Sequence, residues 1–328
     1  TFYHVTCLPE YLPQAFDILA DILRPTLRED DFETEKQVII EEIRMYLDNP
    51  MSVAYEAAKT AHFGEHPLGN SILGTVDSIA ALRAGQMRDY FARRYCPSNI
   101  VLGFAGKARW DELLDLAGRH CGAWQKAVAT RQALPVRGTR TFKTILREDD
   151  QQQTVVGVCD APPLETEDRY AAYLLATILG DHTGSRLYWT LIDPGLADGA
   201  ELSYQDYNQA GTFYTFLSCE PGQTQANLAQ IGDVYQAVMT HGVTDLELTQ
   251  AKNKVLARSV LRSERPMGRL ASLGFQWMYR HAYLSIEDEF EAFSRVSLVD
   301  LQRLLREFPL WPMTIVSVGP TTDIQRPA

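Results

Sequence analysis

"GQMRDYFARRYCPSNIVLGFAG" at residues 85–106 and "VDLQRLLREFPLWPMTIVSVG" at residues 299–319 share one grammar. Each begins with apolar residues at helical spacing, passes through a proline-bearing turn, and ends in an apolar run closed by Gly106 or Gly319. A helix followed by a strand, written twice, points to duplication. A second pair agrees and keeps the order: "DDFETEKQVIIEEI" in the first half answers "TDLELTQAKNKVLARSV" in the second. The expected architecture is α+β in two homologous domains, each a mixed, mostly antiparallel sheet packed against helices. The first domain covers 1–124, a linker poor in apolar periodicity covers 125–141, and the second domain covers 142–328. The second half opens with strands that the first lacks, so the first domain reads as N-terminally truncated.

Outward from these segments, "TFYHVTCL" at the start and "NIVLGFAG" at 99–106 alternate like half-buried strands. The text "VDSIAALRAGQMRDYFARRY" reads as one helix. In the second half "FKTILRE", "QQTVVGVCDAP", "AELSYQDY", "GTFYTFLSCE" and "MTIVSVGP" read as strands. Helices are expected at "TEDRYAAYLLATILG", over most of 225–283, and at "SLVDLQRLLREF".

The composition narrows the function. A formal charge of -11 without a basic run excludes a nucleic-acid surface, which needs clustered Lys and Arg. No apolar stretch approaches the roughly twenty residues of a membrane helix. The five cysteines form no CxxC pair and read as free thiols of a reducing compartment, hence a cytoplasmic protein. The chain opens at Thr1, directly in strand-like text, so an upstream leader stays open.

The duplication isolates two acids. Phe32, Val38, Ile39 and Ile40 match Leu248, Lys254, Val255 and Leu256, so most core-type positions persist, whereas Glu35 matches Ala251 and Glu42 matches Arg258. The architecture therefore does not require these carboxylates. Seven residues return almost to the same side of a helix, so Glu35 and Glu42 stack two turns apart. Val38 and Met45 lie to one side of them, and Ile39 and Tyr46 to the other. An acid in an apolar arc needs a cation, a metal or hydrogen bonds. Ion pairing with distant basic groups and a metal-binding role both satisfy that need, and a solvated edge of the arc removes it.

The letters H-x-x-E-H also occur, as His62, Glu65 and His66 in "HFGEH". The inverted zinc-protease motif needs both histidines on one helix face. Gly64 inside and Pro67 directly after oppose a helix, and the spelling reads as accidental.

Taken together, "FETEKQVIIEEIRMYLDNP" and "FGEHPLGNSILGTVDSI" resemble the insulinase and pitrilysin zinc metallopeptidases, in their mitochondrial-processing-peptidase-like bacterial branch. The likeness extends to "TGSRLYWTLIDPGLA" and to the ends of both halves. It implies a fold of clamshell-half domains and a zinc-dependent endopeptidase acting on peptides or unfolded segments. It also implies that Glu42 is the third zinc ligand and Glu35 its supporting carboxylate. The two histidine ligands and the general-base glutamate are expected upstream of Thr1, so the chain by itself is expected to be inactive. Relatives carry an arginine and a tyrosine where this chain has "LIDPGLADGA", with Ile192 and Asp198 near those places. Arg186 or Tyr204 is the candidate substrate-side substitute. A homodimer or a paired homologous subunit fits the resemblance. The alternative is a non-catalytic family member that serves as a substrate-binding or structural partner.

Overall fold

A computed structural model describes residues 1–130 and 133–326. In chain order its helices are α1 (Leu12–Ile22), α2 (Glu29–Asp48), α3 (Pro50–Phe63), α4 (Val76–Ala81), α5 (Ala84–Arg94) and α6 (Trp110–Cys121). Strands β1 (Phe142–Leu146) and β2 (Gln153–Asp160) follow, then α7 (Asp168–Gly180), β3 (Gly199–Tyr207) and β4 (Ala210–Cys219). The chain continues through α8 (Thr224–His241), α9 (Asp245–Ser263), α10 (Pro266–Arg280), α11 (Ile286–Arg295) and α12 (Leu298–Glu307) to β5 (Thr314–Gly319). The class is α+β.

These elements form two compact units interleaved along the chain. One holds residues 1–41, 75–132 and 261–284, and the other holds 42–74, 133–260 and 285–328.

The second unit contains a five-stranded sheet in the order β1-β5-β2-β4-β3. β1 runs parallel to β5, and the other neighbouring pairs are antiparallel. Alternation along each strand sends residues to opposite faces. Val155 and Cys159 of β2, Phe213 and Leu217 of β4, and Ile315 of β5 join the large core with α7, α8, α9 and α12. Val156 and Val158, Tyr214, Val316 and Val318 point the other way, onto Ala54 and Ala58 of α3. Those two alanines, one turn apart and fully buried, let α3 lie close on the strands. This cover explains why β2 reads as a continuous apolar run: it is buried on both faces.

The first unit is helical among the described residues. Leu12 and Phe16 of α1 pack with Leu116 of α6, Phe104 and Leu113 in a small core. Arg24 stacks 3.6 Å above the Trp124 ring.

Several sequence expectations need correction here. "TFYHVTCL" and "NIVLGFAG" form no ladder, although Phe2 lies 6.1 Å from Phe275 and Tyr3 Oη lies 3.3 Å from Tyr95 Oη. Alternation supplies an apolar edge, but a strand also needs a neighbouring backbone. Neither segment has one among the described residues, so the sheet expected in the first domain is not seen there. The single helix expected over 76–95 breaks between α4 and α5, where the Gln86 side chain accepts the Arg83 N–H at 2.9 Å and caps a new helix.

Candidate metal centre

Helix α2 begins with Glu29, Asp30 and Asp31, whose charge suits its N-terminus. Phe32, Ile40 and Ile43 form its buried side. Lys36 lies beside them and donates to the Ala80 carbonyl at the end of α4, at 3.0 Å. Both candidate acids ride this uninterrupted helix, two turns apart, and the division between the compact units falls just after Glu41.

Their environment differs from the expectation of two inward carboxylates. Glu35 is exposed and Glu42 is half-buried. The flanking apolar side chains Val38, Met45 and Tyr46 are themselves 54%, 62% and 47% exposed. The apolar arc is wider than the part of it that packs, and the acids sit on its uncovered flank. Among the described residues neither carboxylate makes a hydrogen bond or ion pair.

Beyond Glu42 the helix is held at its end. Arg147, just after β1, donates from Nη1 to the Leu47 carbonyl at 2.6 Å and from Nη2 to the Asp48 carbonyl at 3.1 Å. Its Nε lies 3.1 Å from Asp150. A cation on the last carbonyls also matches the helix dipole. Asn49 then caps α3 by accepting the Ser52 N–H at 3.1 Å.

The duplicated helix α9 shows what the same positions do without acids. Ala251 is buried in the core. Arg258 makes a forked pair with Asp181, at 2.6 and 3.1 Å, and Lys254 lies 3.0 Å from the same carboxylate. Burial alone would raise the Asp181 pKa, but the hydrogen bonds and charges of Arg258 and Lys254 outweigh it and hold the carboxyl below its ordinary range. Asp181 is thus a charge anchor for α9.

"HFGEH" does not converge on a metal. Helix α3 ends at Phe63, and Gly64, at φ 57°, turns the chain away. His62, still on the helix, is buried with Nε2 3.3 Å from Asp160 Oδ1. His66 accepts the Leu68 N–H on Nδ1 at 3.3 Å, which leaves Nε2 to donate to the Leu134 carbonyl at 3.1 Å. Glu65 is exposed. No group of three or more His, Cys, Asp or Glu side chains is placed to hold a metal among the described residues.

The two substrate-side candidates are engaged inside the second unit. Arg186 donates to Glu247 at 2.7 and 3.0 Å and to the Gly242 carbonyl at 3.2 Å. The Arg186 bonds first, and then those donated by Thr244, pull the Glu247 carboxyl down to about 2 against the effect of burial. Tyr204 donates to the Pro162 carbonyl at 2.7 Å, and burial pushes its hydroxyl well above the usual range.

The comparisons with known proteins follow this geometry. The model for the inactive domain of peptidase M16 matches residues 81–255, more than half of the chain. The chain belongs to peptidase family M16. The model for insulinase, also of M16, matches residues 1–76, which contain Glu35 and Glu42. An M16 relative named an uncharacterized zinc protease, from Mycobacterium leprae, is 28% identical over 94% of this chain and 70% of its own length. Another so named, from Streptomyces coelicolor, is 28% identical over 99% of this chain and 73% of its own. A peptidase M16 inactive-domain structure from Pseudomonas fluorescens superposes with a TM-score of 0.86 at 21% identity, over 95% of this chain and 76% of that one. A protease from Helicobacter pylori does so at 0.87 and 19% identity, over 96% and 78%. A chain of Complex III2 from Candida albicans reaches 0.85 at 14% identity, over 98% and 80%. These structures establish the M16 fold. No helix among the described residues is long and apolar enough to cross a membrane.

Proposed function

We propose that this M16 chain is part of a zinc-dependent endopeptidase acting on peptides or unfolded segments, with Glu42 as the carboxylate ligand and Glu35 supporting it. One observation carries the reading. At matching places on duplicated helices, Arg258 is locked to Asp181, whereas Glu42 is half-buried with its carboxylate uncommitted on a helix whose end is clamped. A hard, unpartnered oxygen donor on a rigid element suits zinc. It is one ligand, and the reading takes two imidazoles and a general-base glutamate from an H-x-x-E-H segment outside residues 1–328. Bound zinc would polarise a water and a peptide carbonyl. The chain's own part is to hold Glu42 at a fixed depth on α2 and to keep Glu35 on the same side.

The test is zinc content of the complete gene product by atomic absorption, beside hydrolysis of an unstructured peptide. Glu42→Gln is expected to remove zinc and hydrolysis together. Glu35→Gln is expected to weaken zinc about 10- to 100-fold, as for other supporting carboxylates. Unchanged zinc content in Glu42→Gln overturns the reading.

The second reading, a non-catalytic partner subunit, is favoured by Arg186 and Tyr204, both engaged inside their own unit. The structural likeness to a chain of Complex III2 supports the same idea. We take pairing with a second copy or a homologous subunit as the assembly. The linker at 125–141 is taken as the ancestral join. Five unpaired cysteines support a cytoplasmic site.

A further inference from the structure

A cavity of about 380 Å³ lies in the second unit where α3, β2, the stretch 137–140 and the end of α12 meet. Its floor is rigid. His62 is 1% exposed and stands 3.3 Å from Asp160, and Gly138 N–H donates to that same carboxylate at 2.8 Å. Neither His62 ring nitrogen has a hydrogen bond of good geometry among the described residues. The backbone is pressed on the ring so closely that a Cβ at Gly138 would fall 2.0 Å from His62 Cε1. Thr139 fastens the stretch further, donating from N to the His62 carbonyl at 2.8 Å and from Oγ1 to the Ala61 carbonyl at 2.5 Å.

The wall carries the charge. Arg137 and Arg140 both line the cavity, and neither has a carboxylate partner among the described residues. The Arg137 guanidinium is steadied 4.8 Å above the Phe308 ring. Asp160 is answered by His62 and Gly138, and its carboxyl is held below the ordinary range by them and by Arg137, although burial, the largest influence, acts the other way. That leaves Glu307, exposed at the end of α12, as the remaining acid on the wall. In a chain of charge -11, this one small cavity gathers two guanidinium groups that make no ion pair among the described residues. Guanidinium forks match the oxygens of carboxylates and phosphates, and the volume suits a small molecule.

We propose that this cavity is a binding site for a small oxyanion, a carboxylate or a phosphate, held by Arg137 and Arg140 over the His62–Asp160 floor. The site is independent of Glu42 and of any metal. An occupant would tie the stretch 137–140 more firmly to α3 and β2, and so stabilise the second unit.

The experiment is calorimetric titration and thermal unfolding of the chain with sodium phosphate, sodium acetate and sodium chloride at matched ionic strength. Saturable binding and a rise in Tm are expected with phosphate or acetate and not with chloride. Whichever of the two binds tighter names the class. The double variant R137Q/R140Q, altered at two exposed side chains and checked for fold by circular dichroism, is expected to weaken binding at least tenfold. R137K/R140K is expected to recover part of it, because lysine keeps the charge without the fork. Effects that fail to saturate, that chloride reproduces, or that survive in R137Q/R140Q overturn the proposal.

Discussion

Arg258 and Glu42 stand at equivalent places in a duplicated helix, and their surroundings show what each residue type costs there. The arginine is satisfied by Asp181, whose side chain is 4% exposed. The comparison that singles out Glu42 needs only the sequence, because duplication acts as an internal alignment. The partner of Arg258 does not, because Asp181 lies 77 positions away and only packing brings it near. The same holds for His62 and Asp160. Two depressed carboxyls lead to an acid-stability prediction. Glu247, pulled down to about 2 chiefly by Arg186, and Asp181, held low by Arg258 and Lys254, both prefer the folded state when ionised. Folded values below unfolded ones mean that their stabilisation is present above the ordinary carboxyl range, about 4. It is lost as pH falls toward the folded values. Glu247→Gln should therefore unfold more easily in urea at neutral pH. Its midpoint should fall less than that of the unaltered chain between about pH 4.5 and pH 2. Parallel pH profiles for the two proteins would contradict the assignment.

At the scale of elements, helices were the most legible. Periodicity located α2, α7 and α12, because that signal is local to the chain. Strands were legible only where a neighbour exists. β2, β4 and β5 obey their text, while "TFYHVTCL" and "NIVLGFAG", with equal alternation, make no ladder. The seat of α3 was not legible, since its small-residue stripe at Ala54 and Ala58 names no partner until β2 and β5 are placed beneath it. Nor was the clamp on α2 visible, because Arg147 meets Leu47 from 100 positions away. Replacing Arg147 with glutamine removes two hydrogen bonds and a favourable charge from the last carbonyls. The expected cost is about 1 to 2 kcal/mol. Hydrogen exchange should show it locally, with faster exchange in the last turn of α2 and little change in α8. Uniform acceleration across the second unit would mean that Arg147 supports the fold generally rather than this helix end.

For the whole molecule, the α+β class and M16 membership follow from features already present in the text, whereas the interleaving of the two units does not. Residues 42–74, from the first half, pack with the second-half sheet, and residues 261–284, from the second half, belong with the helical unit. Long-range burial decides such exchanges, and no local pattern encodes them. The metal reading makes a prediction at this scale. With a single proposed ligand, residues 1–328 alone should retain no more zinc on equilibrium dialysis than their Glu42→Gln form, and should leave a fluorogenic peptide intact. Chelator-sensitive cleavage by this chain, lost in Glu42→Gln, would show that it holds the remaining ligands itself.

β5 lies in the interior of the sheet, between β1 and β2, yet of the five strands it is made last. While the polypeptide is emerging from the ribosome, β1 has no backbone to pair with, and the edge of β2 that later receives β5 is bare. The β3–β4 hairpin and β2 beside it can assemble early, but the sheet stays in two pieces until Thr314–Gly319 is released from the exit tunnel. Such a nascent chain carries an open, valine-rich edge from the emergence of β2 until that of β5, and that interval is when it is most exposed to pairing with a neighbour on the same messenger.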